Sequence, residues 1–231
     1  MAGRLSVQVG AHCLEAAHGG AGILLGVEPS KVAILDGGVV GDNAAHIATG
    51  MPADVTIFDR SLDRLRWLDD KYGRRSRCLH VNRERIEFAL KQADLVVGAV
   101  LVPGAAAPKL VSRRLLRHVK PSSVLVDVAI DQGGCFETSQ TTTHSDPTFV
   151  VDDVIHYYLA NMPGAVPKTS AYTLNNATLP YVLELADNGI ARALRDNLEI
   201  RSGLNIHNGH GAWVPIAVDR TRTRRLTQDT L

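Results

Sequence analysis

Two glycines and an aspartate have the spacing that a nucleotide-binding turn requires. Gly38 and Gly41 follow an apolar segment, and Asp59 ends the next apolar segment, 18 residues after Gly41. In a strand–turn–helix–strand unit, glycines let the backbone approach a pyrophosphate at the helix N-terminus. An acid after the second strand accepts hydrogen bonds from ribose hydroxyls. The segment from Lys31 to Asp59, KVAILDGGVVGDNAAHIATGMPADVTIFD, therefore predicts a dinucleotide-binding βαβ unit.

The turn departs from the G-x-G-x-x-G pattern at one position, because Asp36 stands where the first glycine is expected. Gly38 and Gly41 still allow the close approach to a phosphate and the packing of helix on strand. Aspartate tolerates a positive φ less well than glycine, and its charge repels a phosphate. A glycine turn that binds no nucleotide is the alternative. Arg60, directly after Asp59, also leaves NADP open beside NAD.

The composition is typical of a soluble globular protein. The chain has 231 residues, 45% of them hydrophobic, and a net charge of +1, which suits one large domain or one domain with part of a second. This charge gives no reason to expect nucleic acid or a membrane as a partner. Neither a transmembrane run nor a signal peptide is recognisable. Three isolated cysteines suggest neither a disulfide framework nor a zinc site, so we expect a cytoplasmic protein.

Alternating strand and helix patterns surround the glycine turn. They predict an α/β fold, a Rossmann-like doubly wound parallel sheet, with a C-terminal helical part that belongs to an incomplete second domain. Strands are predicted at 32–35, 55–58, 77–81, 95–100 and 124–130. Helices are predicted at 39–49, 62–72, 83–92 and 112–119, with Ser61 and Ser112 as N-caps.

The rhythm changes after Asp131. Short strands are predicted at 149–151 and 156–159, and helices at 170–186 and 189–197. We expect residues 1–166 to form the dinucleotide-binding domain and residues 167–210 to form helices of the incomplete second domain. Residues 211–231 lack clean periodicity and are predicted to be a divergent tail.

Long runs outside the glycine turn resemble the NAD-dependent alanine dehydrogenase family, which is related to the NAD-binding half of proton-translocating transhydrogenase. The most specific are DQGGCFE, which begins at Asp131, and ANMPGAVPKTSAYTLNNATLPYVLELAD, which begins at Ala160. The resemblance extends from Ala2 to about His210. It implies NAD as the cofactor and the reversible oxidative deamination of L-alanine to pyruvate and ammonium. It also implies a homo-oligomer, since family members are typically hexameric.

The resemblance also implies the roles of individual residues. Asp131 would be the catalytic acid/base near the substrate carbon. The residues implied to line the cofactor cleft are Ser6, Gly38, Val39, Val40, Gly41, Asp59, Val100, Leu101, Ile130, Asn161, Met162 and Pro163. Independently, Asp131 follows the predicted end of a buried strand, where open α/β sheets bind ligands. An acid that begins a loop and caps a turn is the alternative.

Several other polar residues are interpreted as structural. Asp127, within the fifth predicted strand, suits a hydrogen-bonding role, and Cys135 has no identifiable base beside it. Lys109 suits either a phosphate contact or a solvated side chain. The early histidines are interpreted as surface or helix residues rather than catalysts; they are His12, His18 and His46.

Three functions remain open at this stage. Family members are longer than this chain, and the family's N-terminal half, which grips the substrate carboxylate, has no counterpart here. We therefore expect a truncated alanine dehydrogenase. The alternatives are an NAD-binding module without chemistry of its own, and a non-functional remnant that exposes apolar surface.

Overall fold

The computed structural model describes residues 1–27, 30–102, 106–207 and 209–211. It divides into two compact units, Met1–Ala165 and Val166–Leu231. The domain boundaries expected from the sequence stay a prediction. All of the expected tail except Gly211 lies outside the described residues, and so do residues 103–105 of the loop after the fourth predicted strand.

A seven-stranded sheet forms the centre of the first unit. Its strands are β1 (Lys31–Leu35), β2 (Asp54–Asp59), β3 (Ser76–His80), β4 (Leu95–Gly98), β5 (Val124–Asp127), β6 (Thr148–Val151) and β7 (Val154–Tyr157). They lie in the order β3-β2-β1-β4-β5-β7-β6, and every neighbouring pair is parallel except β6 and β7. The predicted α/β doubly wound sheet is confirmed, and an antiparallel strand closes one edge.

Helices flank this sheet, and further helices belong to the second unit. In the first unit they are α1 (Ala2–Cys13), α2 (Val39–Gly50), α3 (Leu62–Tyr72), α4 (Arg83–Leu90) and α5 (Arg113–Leu116). The second unit contains α6 (Pro167–Asp196), α7 (Leu198–Ser202) and the two-residue strands β8 (Ile206–His207) and β9 (His210–Gly211). None of the helices in the described part of the chain combines the length and the apolarity needed to cross a bilayer.

Burial of the central strands explains their uninterrupted apolar sequences. Every residue of β4, β5 and β7 is buried, as expected for parallel strands covered on both faces. Helix α1 packs against α2, β4 and β5 on one side. A separate apolar cluster, which includes Leu90, Leu116 and Phe136, contains residues of α4, α5 and the loop after β5.

Four strands end earlier than their apolar patterns predict. β3 ends at His80 rather than at residue 81, and β7 ends at Tyr157 rather than at residue 159. β4 ends at Gly98 rather than at residue 100, and β5 ends at Asp127 rather than at residue 130. The reason at β5 is the Asp127 carboxylate, which accepts the backbone N–H of Ala129 at 3.0 Å and that of Cys135 at 2.9 Å. These bonds turn the chain away from the sheet although Ala129 and Ile130 are apolar.

The long helix of the second unit is interrupted at Gly189. This residue has φ 70° and ψ 160°, which is not a helical conformation. The break falls at the first residue of the helix predicted at 189–197, close to the predicted interruption after residue 186. Pro167 occupies the first position of α6, where proline is tolerated because its missing N–H would have no helical partner.

Ser61 is the cap of α3, as its sequence position predicts. Its hydroxyl accepts the backbone N–H of Arg64 at 3.2 Å. We expect Ser61→Ala to lower the free energy of unfolding by about 1 kcal/mol, because one N-terminal donor of the helix loses its partner. Urea denaturation measures this change. Arg66→Ala, an exposed change on the same helix, is the control and should stay within about 0.5 kcal/mol of the unmodified chain.

Candidate functional site

The carboxyl ends of the central strands meet at a topological switch point. From β1 the chain moves to β2 on one side, whereas β4 and β5 extend the sheet on the other side. The first residues after β1 and β4 continue the backbone hydrogen bonding of the sheet. Asp36 donates to the carbonyl of Phe58, and Ala99 donates to that of Leu35, both at 2.9 Å. Open α/β sheets bind ligands in the crevice at such a point.

The glycine turn leaves no room for side chains where the helix begins. A Cβ at position 41 would lie 1.9 Å from the carbonyl oxygen of Asp36, and one at position 38 would lie 2.7 Å from its Oδ2. Gly38 precedes α2 and Gly41 is buried within the first turn of that helix. At position 41 backbone therefore packs on backbone, whereas at position 38 the nearest atom belongs to the Asp36 side chain. Backbone N–H groups at a helix N-terminus are suited to bind an anion.

Asp59 holds this turn in place. Its side chain is buried, and Oδ2 accepts the N–H of Gly37 at 2.9 Å while Oδ1 accepts the N–H of Ser61 at 2.7 Å. Each carboxylate oxygen has a second lone pair. Asp59 thus joins the start of α2 to the end of β2 and retains capacity for a further hydrogen bond.

Asp36 adopts the conformation of the glycine that it replaces. Its φ is 88°, and its Oδ2 accepts the N–H of Gly38 at 3.0 Å. Burial raises the pKa of the Asp36 carboxyl and the neighbouring Asp59 raises it further, while the Gly38 N–H and the Arg64 guanidinium act in the opposite direction. The Asp36 carboxylate therefore occupies the N–H of Gly38, a donor that a bound phosphate would otherwise use.

Arg64 lies over the same turn, although nothing in its sequence position singles it out. Its Nε donates to the carbonyl of Gly37 at 2.6 Å, and its guanidinium stacks 4.1 Å from the Trp67 ring. The guanidinium also lies 3.8 Å from Asp42. Only the packing of α3 beside the turn brings this cation to the candidate site.

Asp42, in the first turn of α2, is neutralised by α3. Its carboxylate accepts from Lys71 Nζ at 2.7 Å and from the Tyr72 hydroxyl at 2.6 Å. Burial raises the pKa of Asp42, but these hydrogen bonds and the nearby cations lower it more, so the net pKa lies below its ordinary value. This acid therefore stays charged and paired near the helix N-terminus.

Exposed apolar side chains flank the crevice. Val39, the first residue of α2, is 80% exposed, and Leu101, which follows β4, is 60% exposed. By contrast Val100 and Ile130 are buried, and Val40 is partly buried. Ligand sites are lined mostly by apolar side chains with a few polar groups, so Val39 and Leu101 suit a site beside the glycine turn.

The remaining residues expected at the cleft belong to α1 and a 3₁₀ turn. Helix α1 packs against the turn Met162–Ala165. Ser6 is buried, and its hydroxyl donates to the carbonyl of Gly3 at 2.8 Å. Gly3 in turn packs so closely on α2 that a Cβ there would lie 2.1 Å from the carbonyl of Val40. Asn161 is exposed with φ 52°, Met162 is buried and Pro163 is partly buried.

Asp131 lies in the 3₁₀ turn Ile130–Gln132, four residues beyond the end of β5. The predicted strand over 124–130 is wrong at its end, so this carboxylate does not follow a strand directly. Its side chain is exposed. The neighbouring Gln132 accepts the N–H of Val102 through Oε1 at 3.3 Å, which connects the Asp131 turn to the segment after β4.

The other polar residues beside Asp131 are structural. Asp127 is fully buried and accepts from the Ser139 hydroxyl at 2.7 Å in addition to its two backbone donors. Burial raises the pKa of the Cys135 thiol well above its ordinary value, and Asp127 raises it further, so this thiol is not a nucleophile. Lys109 Nζ donates to the carbonyl of Gly133 at 2.6 Å.

Comparisons with known proteins agree with this geometry. The family model described as alanine dehydrogenase/PNT, C-terminal domain, matches residues 6–213. The alanine dehydrogenase of Halomonas elongata is 57% identical over 221 residues, which are 94% of this chain and 60% of the relative. That of Bacillus subtilis is 51% identical over 224 residues, 95% of this chain and 59% of the relative.

Solved structures give the same result. An L-alanine dehydrogenase superposes with a TM-score of 0.87 at 49% identity, over 93% of this chain and 60% of the other. A transhydrogenase from Sinorhizobium meliloti superposes with a TM-score of 0.65 at 22% identity, over 74% of this chain and 50% of the other, and shares the fold. The chain spans about 60% of the length of the curated relatives.

Proposed function

This chain belongs to the alanine dehydrogenase/PNT C-terminal domain family, and we propose that it is the NAD-binding part of an L-alanine dehydrogenase. The observation that carries the proposal is the glycine turn at the switch point, where the absence of a Cβ at Gly41 lets the start of α2 pack on the carbonyl of Asp36, with Gly38 directly before the helix. A dinucleotide pyrophosphate fits such a helix N-terminus. The identities of 51% and 57% to alanine dehydrogenases support the substrate.

The residues around the turn have separate roles in this proposal. The backbone amides of Val39 and Val40 hold the pyrophosphate, and Gly38 and Gly41 let the backbone approach it. The remaining lone pairs of Asp59 accept the ribose hydroxyls. The exposed side chains of Val39 and Leu101 provide apolar contact. The other side of the cleft is lined by Ser6, Val100, Ile130, Asn161, Met162 and Pro163.

The reaction converts L-alanine, NAD and water into pyruvate, ammonium, NADH and a proton. NAD supplies the acceptor for the hydride that leaves the α-carbon of alanine. Asp131 is the acid/base that takes up and returns a proton at the substrate, and its exposed carboxylate is accessible for this task. The substrates are small molecules, and the assembly is a cytoplasmic homo-oligomer.

The first experiment is a calorimetric titration of the chain with NAD and, separately, with NADP. We expect NAD to bind and Gly41→Ala to abolish the binding, because the added methyl group would meet the Asp36 carbonyl. Gly50→Ala is the matched control, since a Cβ at the end of α2 meets nothing within 4 Å. Absence of heat with millimolar NAD, from a chain that melts cooperatively, would overturn the proposal.

The second experiment measures NADH formation from L-alanine at alkaline pH. Turnover that disappears in Asp131→Asn while NAD affinity stays unchanged would support the assigned acid/base. NAD binding without turnover would favour the second candidate function, a dinucleotide-binding module whose chemistry depends on residues outside this chain. The coverage of about 60% of the relatives keeps that candidate open.

A further inference from the structure

Three exposed side chains converge where α1 ends, outside the cleft described above. His12 Nδ1 lies 3.3 Å from Glu15 Oε1, and His18 Nε2 lies 4.0 Å from Glu15 Oε2. The two imidazole rings contact each other, with centroids 3.9 Å apart. One nitrogen from each ring and one carboxylate oxygen all lie within 4.8 Å of one another.

The backbone conformation brings these three side chains together. α1 ends at Cys13, and a 3₁₀ turn at Ala16–His18 follows immediately. The carbonyl of Glu15 accepts the N–H of His18 at 3.0 Å and that of Gly20 at 3.1 Å. A Cβ at position 20 would lie 2.3 Å from the carbonyl of Cys13. The turn therefore closes tightly on the end of α1, and the three side chains share one face.

The three side chains carry the donor atoms that a borderline divalent cation prefers, two imidazole nitrogens and one carboxylate oxygen. Two neutral imidazoles and one carboxylate form a ligand set that Zn²⁺ accepts, at bond lengths of about 2.0–2.2 Å.

We propose that His12, Glu15 and His18 form a binding site for Zn²⁺ or a similar borderline divalent cation. A tetrahedral ion with those bond lengths separates its ligand atoms by roughly 3.4 Å. The Glu15 carboxylate approaches both rings at about this distance, with Oε1 3.3 Å from His12 Nδ1 and Oε2 4.0 Å from His18 Nε2. Because all three residues are exposed, rotation of side chains completes the geometry, and water occupies the fourth position.

A metal ion bound at this site connects the end of α1 to the 3₁₀ turn that follows it. It is independent of the proposed dinucleotide function, because it shares no residue with the candidate cleft. Since a ligand that binds only the folded chain stabilises it, saturating Zn²⁺ should raise the melting temperature.

The test is a calorimetric titration of the chelator-treated chain with Zn²⁺ at pH 7.5, paired with the visible absorption spectrum of Co²⁺ bound in its place. We expect one ion per chain. His12→Ala and His18→Ala should each weaken binding at least tenfold, and Glu15→Gln should weaken it as well. His46→Ala, an exposed histidine on α2, is the matched control and should bind Zn²⁺ as the unmodified chain does.

A second measurement uses the unmodified chain, so its result does not depend on whether the variants fold. Zn²⁺ should protect His12 and His18 from diethyl pyrocarbonate, read by mass spectrometry, while His46 continues to react. Equal Zn²⁺ affinity in the double variant His12→Ala/His18→Ala would overturn the proposal, and so would a lack of protection at saturating Zn²⁺. One-to-one binding that is lost in the double variant would support it.

Discussion

Replacing Asp36 with glycine should tighten the proposed NAD binding by roughly tenfold, which corresponds to about 1.4 kcal/mol. The change removes a side chain held at φ 88°, a conformation that non-glycine residues adopt at a cost. It also frees the N–H of Gly38, which the Asp36 carboxylate accepts at 3.0 Å. Finally, it removes a negative charge from the place where we propose that the pyrophosphate binds.

The same carboxylate should make NAD binding depend on pH. Burial and Asp59 raise the pKa of Asp36, and Arg64 from α3 opposes them. A bound pyrophosphate would raise this pKa further, so binding takes up a proton. The affinity should therefore fall as the pH rises from the raised pKa of Asp36 in the free chain to its still higher pKa in the complex. Asp42 also bears charge near the turn, but Lys71 pairs with it.

Calorimetric titrations at several pH values check both expectations. Asp36→Gly should bind more tightly than the unmodified chain at neutral pH and should show a flatter pH profile. Asp36→Asn keeps the shape of the side chain without its charge, so it separates electrostatic repulsion from backbone strain. Unchanged NAD affinity in Asp36→Gly would mean that the turn tolerates the aspartate and that the carboxylate does not compete with the ligand.

Replacing Asp127 with alanine should have the largest effect on stability. The carboxylate is fully buried and satisfies the N–H groups of Ala129 and Cys135 and the hydroxyl of Ser139. Alanine would leave these three donors without their acceptor, and each buried group that is left unsatisfied costs about 1–3 kcal/mol. We expect the free energy of unfolding to fall by about 3–5 kcal/mol, a large loss of the kind that follows when a buried hydrogen-bond network is broken.

Urea denaturation measures this loss of stability. Two further variants test whether it comes from the lost hydrogen bonds of Asp127. Asp127→Asn keeps one acceptor oxygen, so its effect should be smaller than that of alanine. Asp131→Ala changes an exposed acid four residues away and should alter stability by no more than about 0.5 kcal/mol. A loss below 1 kcal/mol for Asp127→Ala would contradict the assigned role of its hydrogen bonds.

The sheet is predictable from the sequence because buried strands consist of apolar residues, which can be read directly from the chain. The apolar run of β4 and the alternation of strands with capped helices are sufficient for the doubly wound topology. Ser61 and Ser112 cap their helices as predicted. Such features are local, so neighbouring residues in the chain are enough to reveal them.

Strand ends and side-chain partners are less predictable because they depend on contacts across the fold. The apolar residues after Asp127 extend the strand pattern, yet the carboxylate turns them out of the sheet. Arg64 reaches the glycine turn only because α3 packs beside it. His12 and His18 are separated in sequence, and a 3₁₀ turn brings their rings together.

The two hydrogen bonds that Asp59 accepts have a consequence for cofactor engineering. Switching a dinucleotide site from NAD toward NADP commonly means removing the acid at the end of the second strand, to make room for a 2′-phosphate. Here that acid also binds the amides of Gly37 and Ser61. A redesigned chain would therefore need a new acceptor for both amides, because loss of Asp59 alone would loosen the loop that must receive either cofactor.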